Sequence, residues 1–238
     1  MTDSQELDNT ISKIAFQSAI VLVLTGVLML FFPLDAPAAP FADRMLWYSV
    51  NVNAYVMGWV LQMIAMLTLS ALFAAIAWQT RKSHLLSTFG AGTALLISIM
   101  AFIIPKFIAI WSIPQIVVAS STVTPNVAVA EQLFQLLNPS LSFSLFTSFD
   151  YLGFWMYGVF GLLLARPLFC LTLSAKIAAV SLGLFGLLYH LLLVGVMFGS
   201  IASTNIGLYA ESIGILLLIP VLSMAVYFRN QLKEASNA

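Results

Sequence analysis

Three ionisable residues interrupt otherwise apolar stretches of this chain: Asp150, His190 and Glu211. A charge carried into hydrocarbon is costly, so each is a functional candidate by default. Their types suit proton chemistry, because two carboxylates could exchange protons and an imidazole could relay them near neutral pH. Helical neighbours lie three, four and seven positions apart. On that spacing Asp150 shares a face with Thr147, Gly153, Tyr157 and Gly161. His190 follows a ladder of Ala175, Ala179, Gly183 and Gly186, and Glu211 sits between Gly207 and Gly214. Small residues at these spacings mark close helix contact in membranes, so all three groups are expected to face a bundle interior. Asn51, Tyr55, Gly58 and Gln62 make a stripe at matching depth. The sharp expectation is an outward-opening polar cavity lined by Asp150, His190, Glu211, Asn51, Tyr55, Gln62 and Tyr157. The plain alternative is structural: Asp150 or Glu211 pairs with Lys106, Arg44 or His190 and fixes helix packing, or Glu211 reaches headgroup water.

The elements that would position these groups follow from composition. Of 238 residues, 61% are hydrophobic and 8% charged. A globule this apolar could not cover itself with polar groups, so lipid must be its solvent. Nine basic residues balance nine acidic ones, which leaves no basic footprint for nucleic acid. The lone Cys170 excludes an intrachain disulfide framework and a cysteine metal cluster.

A spanning helix needs about 20 mainly apolar residues. Six stretches qualify: 14–32, 52–78, 85–104, 144–165, 176–199 and 206–228. Pro33, Arg81-Lys82, Pro105-Lys106 and Arg166-Pro167 are expected to end the first four. Lys13 before an apolar run, with Ala36-Pro37-Ala38 after it, resembles a signal peptide. The run exceeds the usual signal core of about 7–15 residues, so an uncleaved first helix is expected. The fold expected is a single all-α domain over 1–238, a six-span transmembrane bundle with a short amphipathic helix on its outer surface.

Basic residues orient the bundle. With six spans, Lys13, Arg81, Lys82, Arg166, Lys176, Arg229 and Lys233 fall on one side, and only Arg44 and Lys106 on the other. That asymmetry puts both termini in the cytoplasm. On the outer side, the Pro-rich stretch 34–51 reads as a loop with Leu46-Trp47-Tyr48 at headgroup level. In the longer outer segment, Thr124-Pro125 reads as a helix start, and Val127, Ala130, Leu133, Phe134 and Leu137 recur at helical spacing until Asn138-Pro139. Glu131, Gln132 and Gln135 lie opposite them, as in a helix that rests on the membrane or caps the bundle.

The stretch Gly153-Phe154-Trp155-Met156-Tyr157-Gly158, the apolar run to Leu164, Ala165-Arg166-Pro167 and the turn into Leu173-Ser174-Ala175-Lys176 form a hairpin. This hairpin resembles the fourth-to-fifth helix hairpin of an uncharacterised bacterial family of six-helix integral membrane proteins, a domain of unknown function. The resemblance covers about a quarter of the chain. It implies the same six-span layout in a bacterial inner membrane, and no activity or catalytic residues.

Three kinds of function stay open. One is a small transporter or ligand-binding protein using the cavity. The second is an accessory or structural subunit of a larger membrane complex, docked through 124–138 and the Pro-rich loop. The third is a membrane enzyme acting on a lipid-like substrate. No H-E-x-x-H, G-x-S-x-G, C-x-x-C or phosphate-cradling glycine loop supports catalysis. His84 and His190 lie too far apart in depth to share a haem iron, so neither cofactor nor metal is expected. The partners expected are the lipid bilayer and a membrane protein, another or a second copy of this one.

Overall fold

The computed structural model describes residues 3–120 and 126–236. Among the described residues six helical rods are long and apolar enough to cross a membrane, and the fold is an all-α, multi-pass bundle. They are α1 (Asp3–Met29), α2 (Phe41–Thr80), α3 (Leu85–Phe107) continued into α4 (Ile113–Ser120), α6 (Leu145–Phe169), α7 (Leu173–Met197), and α8 (Ile206–Gly214) continued into α9 (Leu218–Ser236). The shorter α5 (Asn126–Leu137) precedes α6.

Local chemistry sets the ends. The Ser144 hydroxyl accepts from the Thr147 amide at 3.1 Å and starts α6. Thr172 plays the same part for α7. Gly199, with φ of 71°, closes α7 in a left-handed turn that only glycine adopts freely. Between α8 and α9 lies a short 3-10 turn, Ile215–Leu217, ahead of Pro220. Proline has no amide proton, so the Leu216 carbonyl loses its helical donor. Ser181 of α7 supplies one, its hydroxyl donating to that oxygen at 2.7 Å.

The long third rod departs from expectation. Pro105 does not stop it; the helix runs on through one π turn, Ile108–Ser112, where the Ile113 amide reaches the Ile108 carbonyl. Pro114, which has no amide proton to continue the ladder, sits just beyond this turn. The stretch 34–51 also departs from the loop expected there. From Phe41 it is the first quarter of α2, because nothing after Pro40 breaks a helix and Arg44, Met45, Tyr48, Tyr55 and Trp59 recur on one buried face. The first span likewise begins earlier than its apolar run, at Asp3, and ends at Met29, short of Pro33. The proposed start of α5 at Thr124-Pro125 lies outside the described residues. Ala130 and Phe134 of α5 are buried as its spacing implied, but Leu133 is 44% exposed.

The start of α1 and the end of α9 lie at one end of the bundle. There Asp8 accepts from the Trp78 indole at 2.8 Å and from Arg81 at 2.5 Å, and Ser12 donates to Gln231 of α9 at 2.9 Å. At ~1.5 Å per residue the 40 residues of α2 extend about 60 Å, twice a hydrocarbon core of about 30 Å. The surplus stands at the far end, since α1 turns back where Pro33 and Phe32 meet Gly58. A main core, built on Phe73, Tyr157, Phe160, Leu182, Phe185 and Tyr189, fills the bundle. A second core, with Tyr48, Tyr55, Trp59, Ile113, Phe134 and Phe146, fills a cap made by the start of α2, α4, α5 and the segment 33–40.

Candidate functional site

The seven residues of the expected cavity do not converge on one space. Asp150, near the start of α6, accepts from the Lys106 ammonium of α3 at 2.9 Å. The Lys106 side chain is 4% exposed and that of Asp150 23%. Lys106 also stands 4.7 Å from the Phe102 ring centre, with Trp59 on another side at 6.0 Å. This is the structural pairing weighed from sequence, and it neutralises the most deeply set acid. Tyr157 is buried, its hydroxyl 2.8 Å from the Ser70 hydroxyl of α2. His190 accepts from the Trp155 indole at 3.0 Å, and its other ring nitrogen lies 2.7 Å from the Gly186 carbonyl of its own helix. Asn51 donates to the Trp47 carbonyl one turn back, and Gln62 is half-buried. Tyr55 is fully buried with its hydroxyl unpartnered among the described residues.

Glu211 corrects the expectation most plainly, for it is exposed on α8 rather than turned inward. Its flanking glycines do not mark close packing. A Cβ at Gly214 would meet nothing within 4 Å, and one at Gly207 only the Tyr151 hydroxyl at 3.7 Å. The glycines of the α6–α7 hairpin behave as expected. A Cβ at Gly186 would fall 2.5 Å from the Gly158 carbonyl oxygen, and one at Gly161 2.5 Å from that of Leu182. Two surface recesses, one beside Glu6 and Lys13 and one beside Leu28 and Asn53, are lined by none of the seven residues.

The densest polar cluster is one that sequence reasoning did not single out. In the cap, Asp35 accepts from the Arg44 guanidinium at 2.6 Å, from the Ala36 amide at 2.8 Å, and from the Tyr48 and Ser140 hydroxyls. Arg44 lies 5.1 Å from the Phe134 ring centre, a cation–π contact that binds α5 to α2. The signal was present in the sequence: Arg44 and Tyr48 stand four apart, and Arg44 and Lys106 are the only cations on their side. Both turn out to be buried in ion pairs. Between the pairs runs a column of rings, Tyr48 to Tyr55 at 4.9 Å and Tyr55 to Trp59 at 6.3 Å.

Comparison with family models, with curated proteins and with solved structures finds no match to this chain. Two neutralised pairs joined by packed rings hold helices together; they offer no free base, nucleophile or open ligand to a substrate.

Proposed function

We propose that this chain is an accessory or structural subunit of a larger membrane complex, with both termini cytoplasmic in a bacterial inner membrane. The observation that carries the reading is the Lys106–Asp150 pair, which occupies the acid on which a transport or ligand cavity would depend. A transporter needs charged or polar groups that exchange partners along a path. Here Asp150, His190 and Tyr157 are each held by a neighbouring side chain. The placement of the basic residues supports the orientation, because those at the termini end include Arg81, Lys82, Arg229 and Lys233, while the two at the far end are buried.

The docking surface in this reading is the outer side of α4 and α5. Trp111 on the π turn, Val118 on α4, and Val129, Leu133 and Leu136 on α5 are exposed there, beside the exposed Glu131. Apolar side chains on a cap standing clear of lipid mark a protein contact. Native mass spectrometry of the protein extracted in mild detergent tests this. The expected result is a stoichiometric second polypeptide, lost in the Leu133→Asp/Leu136→Asp variant. A chain found alone, or only with copies of itself, overturns the subunit reading.

A further inference from the structure

The back of α2, opposite the face that packs the cap, is unpartnered. Leu46, Val50, Asn53, Met57, Ile64, Leu67 and Ala74 are exposed along it, with Val60 and Ala71 half-buried among them. These nine positions recur at alternating steps of four and three, a seam of four heptads. A lipid-facing helix shows apolar residues on any outward face, so spacing alone decides nothing. Three further observations do.

First, the seam outruns the membrane. A hydrocarbon core of about 30 Å takes up roughly 20 residues of helix. Counted from Thr80, that length ends near Val60, the level at which α1 turns away at Gly58. Val50 stands about 15 Å and Leu46 about 20 Å further out, past the headgroup layer. They are nevertheless 76% and 66% exposed. Second, the residue types follow the rule for a parallel pair at two levels of the seam. One heptad position holds Val50, Met57, Ile64 and Ala71, and the other Leu46, Asn53, Val60, Leu67 and Ala74, so that β-branched Val50 and Ile64 alternate with Leu46 and Leu67. β-Branched residues at the first and leucine at the second favour two strands. Third, the one polar residue in the seam is Asn53, an amide that is its own hydrogen-bonding complement. Two copies of a membrane protein insert the same way up, so their α2 helices run parallel and each position meets itself. Asn53 then faces Asn53 of the copy, and the two amides pair across the seam.

We propose that this face of α2 is a dimer interface whose occupant is the α2 of a second copy of this chain. A specific contact buries about 800 Å² per partner, and four heptads with their flanking residues supply an area of that order. The groove of about 550 Å³ formed by Leu28, Phe32, Asn53, Ala54, Met57 and Leu61 runs along the same seam. It receives the side chains that flank the copy's helix. Asp43, at the first turn of α2, ends the seam in water, where a like charge is screened. Pairing through the back of α2 leaves the α4–α5 side of the cap open to a different polypeptide.

Single-cysteine variants in a Cys170→Ser background test the proposal. Leu46→Cys, Val50→Cys and, off the seam, Ser49→Cys are oxidised in native membranes and again after dilution with excess lipid. The expected result is a disulfide-linked dimer from Leu46→Cys and Val50→Cys at both dilutions, several-fold above Ser49→Cys. Equal linkage at all three positions, or linkage lost on dilution, overturns it. So does a seam cysteine that bonds to another polypeptide. An independent arm uses the unlinked protein. Val50→Asp lies on an exposed site, and native mass spectrometry should show its dimer fraction lost while α-helical circular dichroism is unchanged. A Val50→Asp protein that remains dimeric also overturns the proposal.

Discussion

The Lys106 ammonium and the Asp150 carboxylate meet at 2.9 Å between α3 and α6, and the lysine keeps only 4% of its side chain exposed. The pair sits one residue after Pro105 and just before the π turn, so it fixes the point at which the third rod leaves the bundle. Removing one partner strands a buried charge, whereas removing both does not. Lys106→Met is expected to cost about 3–5 kcal/mol, and Lys106→Met/Asp150→Leu to regain most of it. Thermal unfolding in detergent, followed by circular dichroism, measures both. A double variant as unstable as the single one would contradict the argument.

Ser181 and Pro220 form a second coupled pair. Ser181→Ala strips the donor from the Leu216 carbonyl and should destabilise by about 1 kcal/mol, the usual size for such bonds between membrane helices. Pro220→Ala restores an amide that can take the serine's place. In a double-mutant cycle the loss from Ser181→Ala should then shrink markedly, and strict additivity would count against it.

The glycines give a contrast of sign. Gly186→Leu should separate α6 from α7, because the first added carbon already falls 2.5 Å from the Gly158 oxygen. Poor insertion or a large fall in melting temperature is the expected readout. Gly214→Ala meets nothing, and should raise stability by about 0.5–1 kcal/mol by restricting the unfolded chain.

The cap should open without the bundle. Asp35 ties the segment 33–40 to Arg44, Tyr48 and Ser140, so Asp35→Ala releases three side chains at once. Hydrogen exchange is expected to quicken in residues 33–50 and 126–140 and to stay slow in α6 and α7. Uniform acceleration along the chain would show that cap and bundle unfold as one.

The six rods were legible because lipid imposes a strong rule: every backbone group must be satisfied within the span, and only long apolar helices manage that. The α6–α7 contact was legible from Gly161, Gly183 and Gly186 for the same reason. The cavity was not, because glycine spacing was read on α8 as it had been on α6 and α7. Gly207 and Gly214 flank Glu211, yet neither touches another helix closely. The cap was missed because Pro105 and the prolines before Phe41 read as stops. Pro105 nevertheless lies inside α3, and the rod continues past it through the π turn. Asp35 and Ser140, more than a hundred positions apart, carry no local pattern that would announce their contact.

The π turn has one more effect. It inserts a residue into the third rod, and one residue of α-helix is a rotation of about 100°. Below it, Ala91, Ala94, Leu95, Ser98 and Phe102 are turned into the bundle; from Ala109 within it onward, Ile113, Ile116 and Val117 are turned into the cap. The inserted residue is thus a phase shifter, letting a single rod serve two cores that lie in different directions. Deleting one residue between Ile108 and Ser112 would leave every side chain of α4 in place in the sequence and wind its apolar edge away from Tyr48 and Phe134.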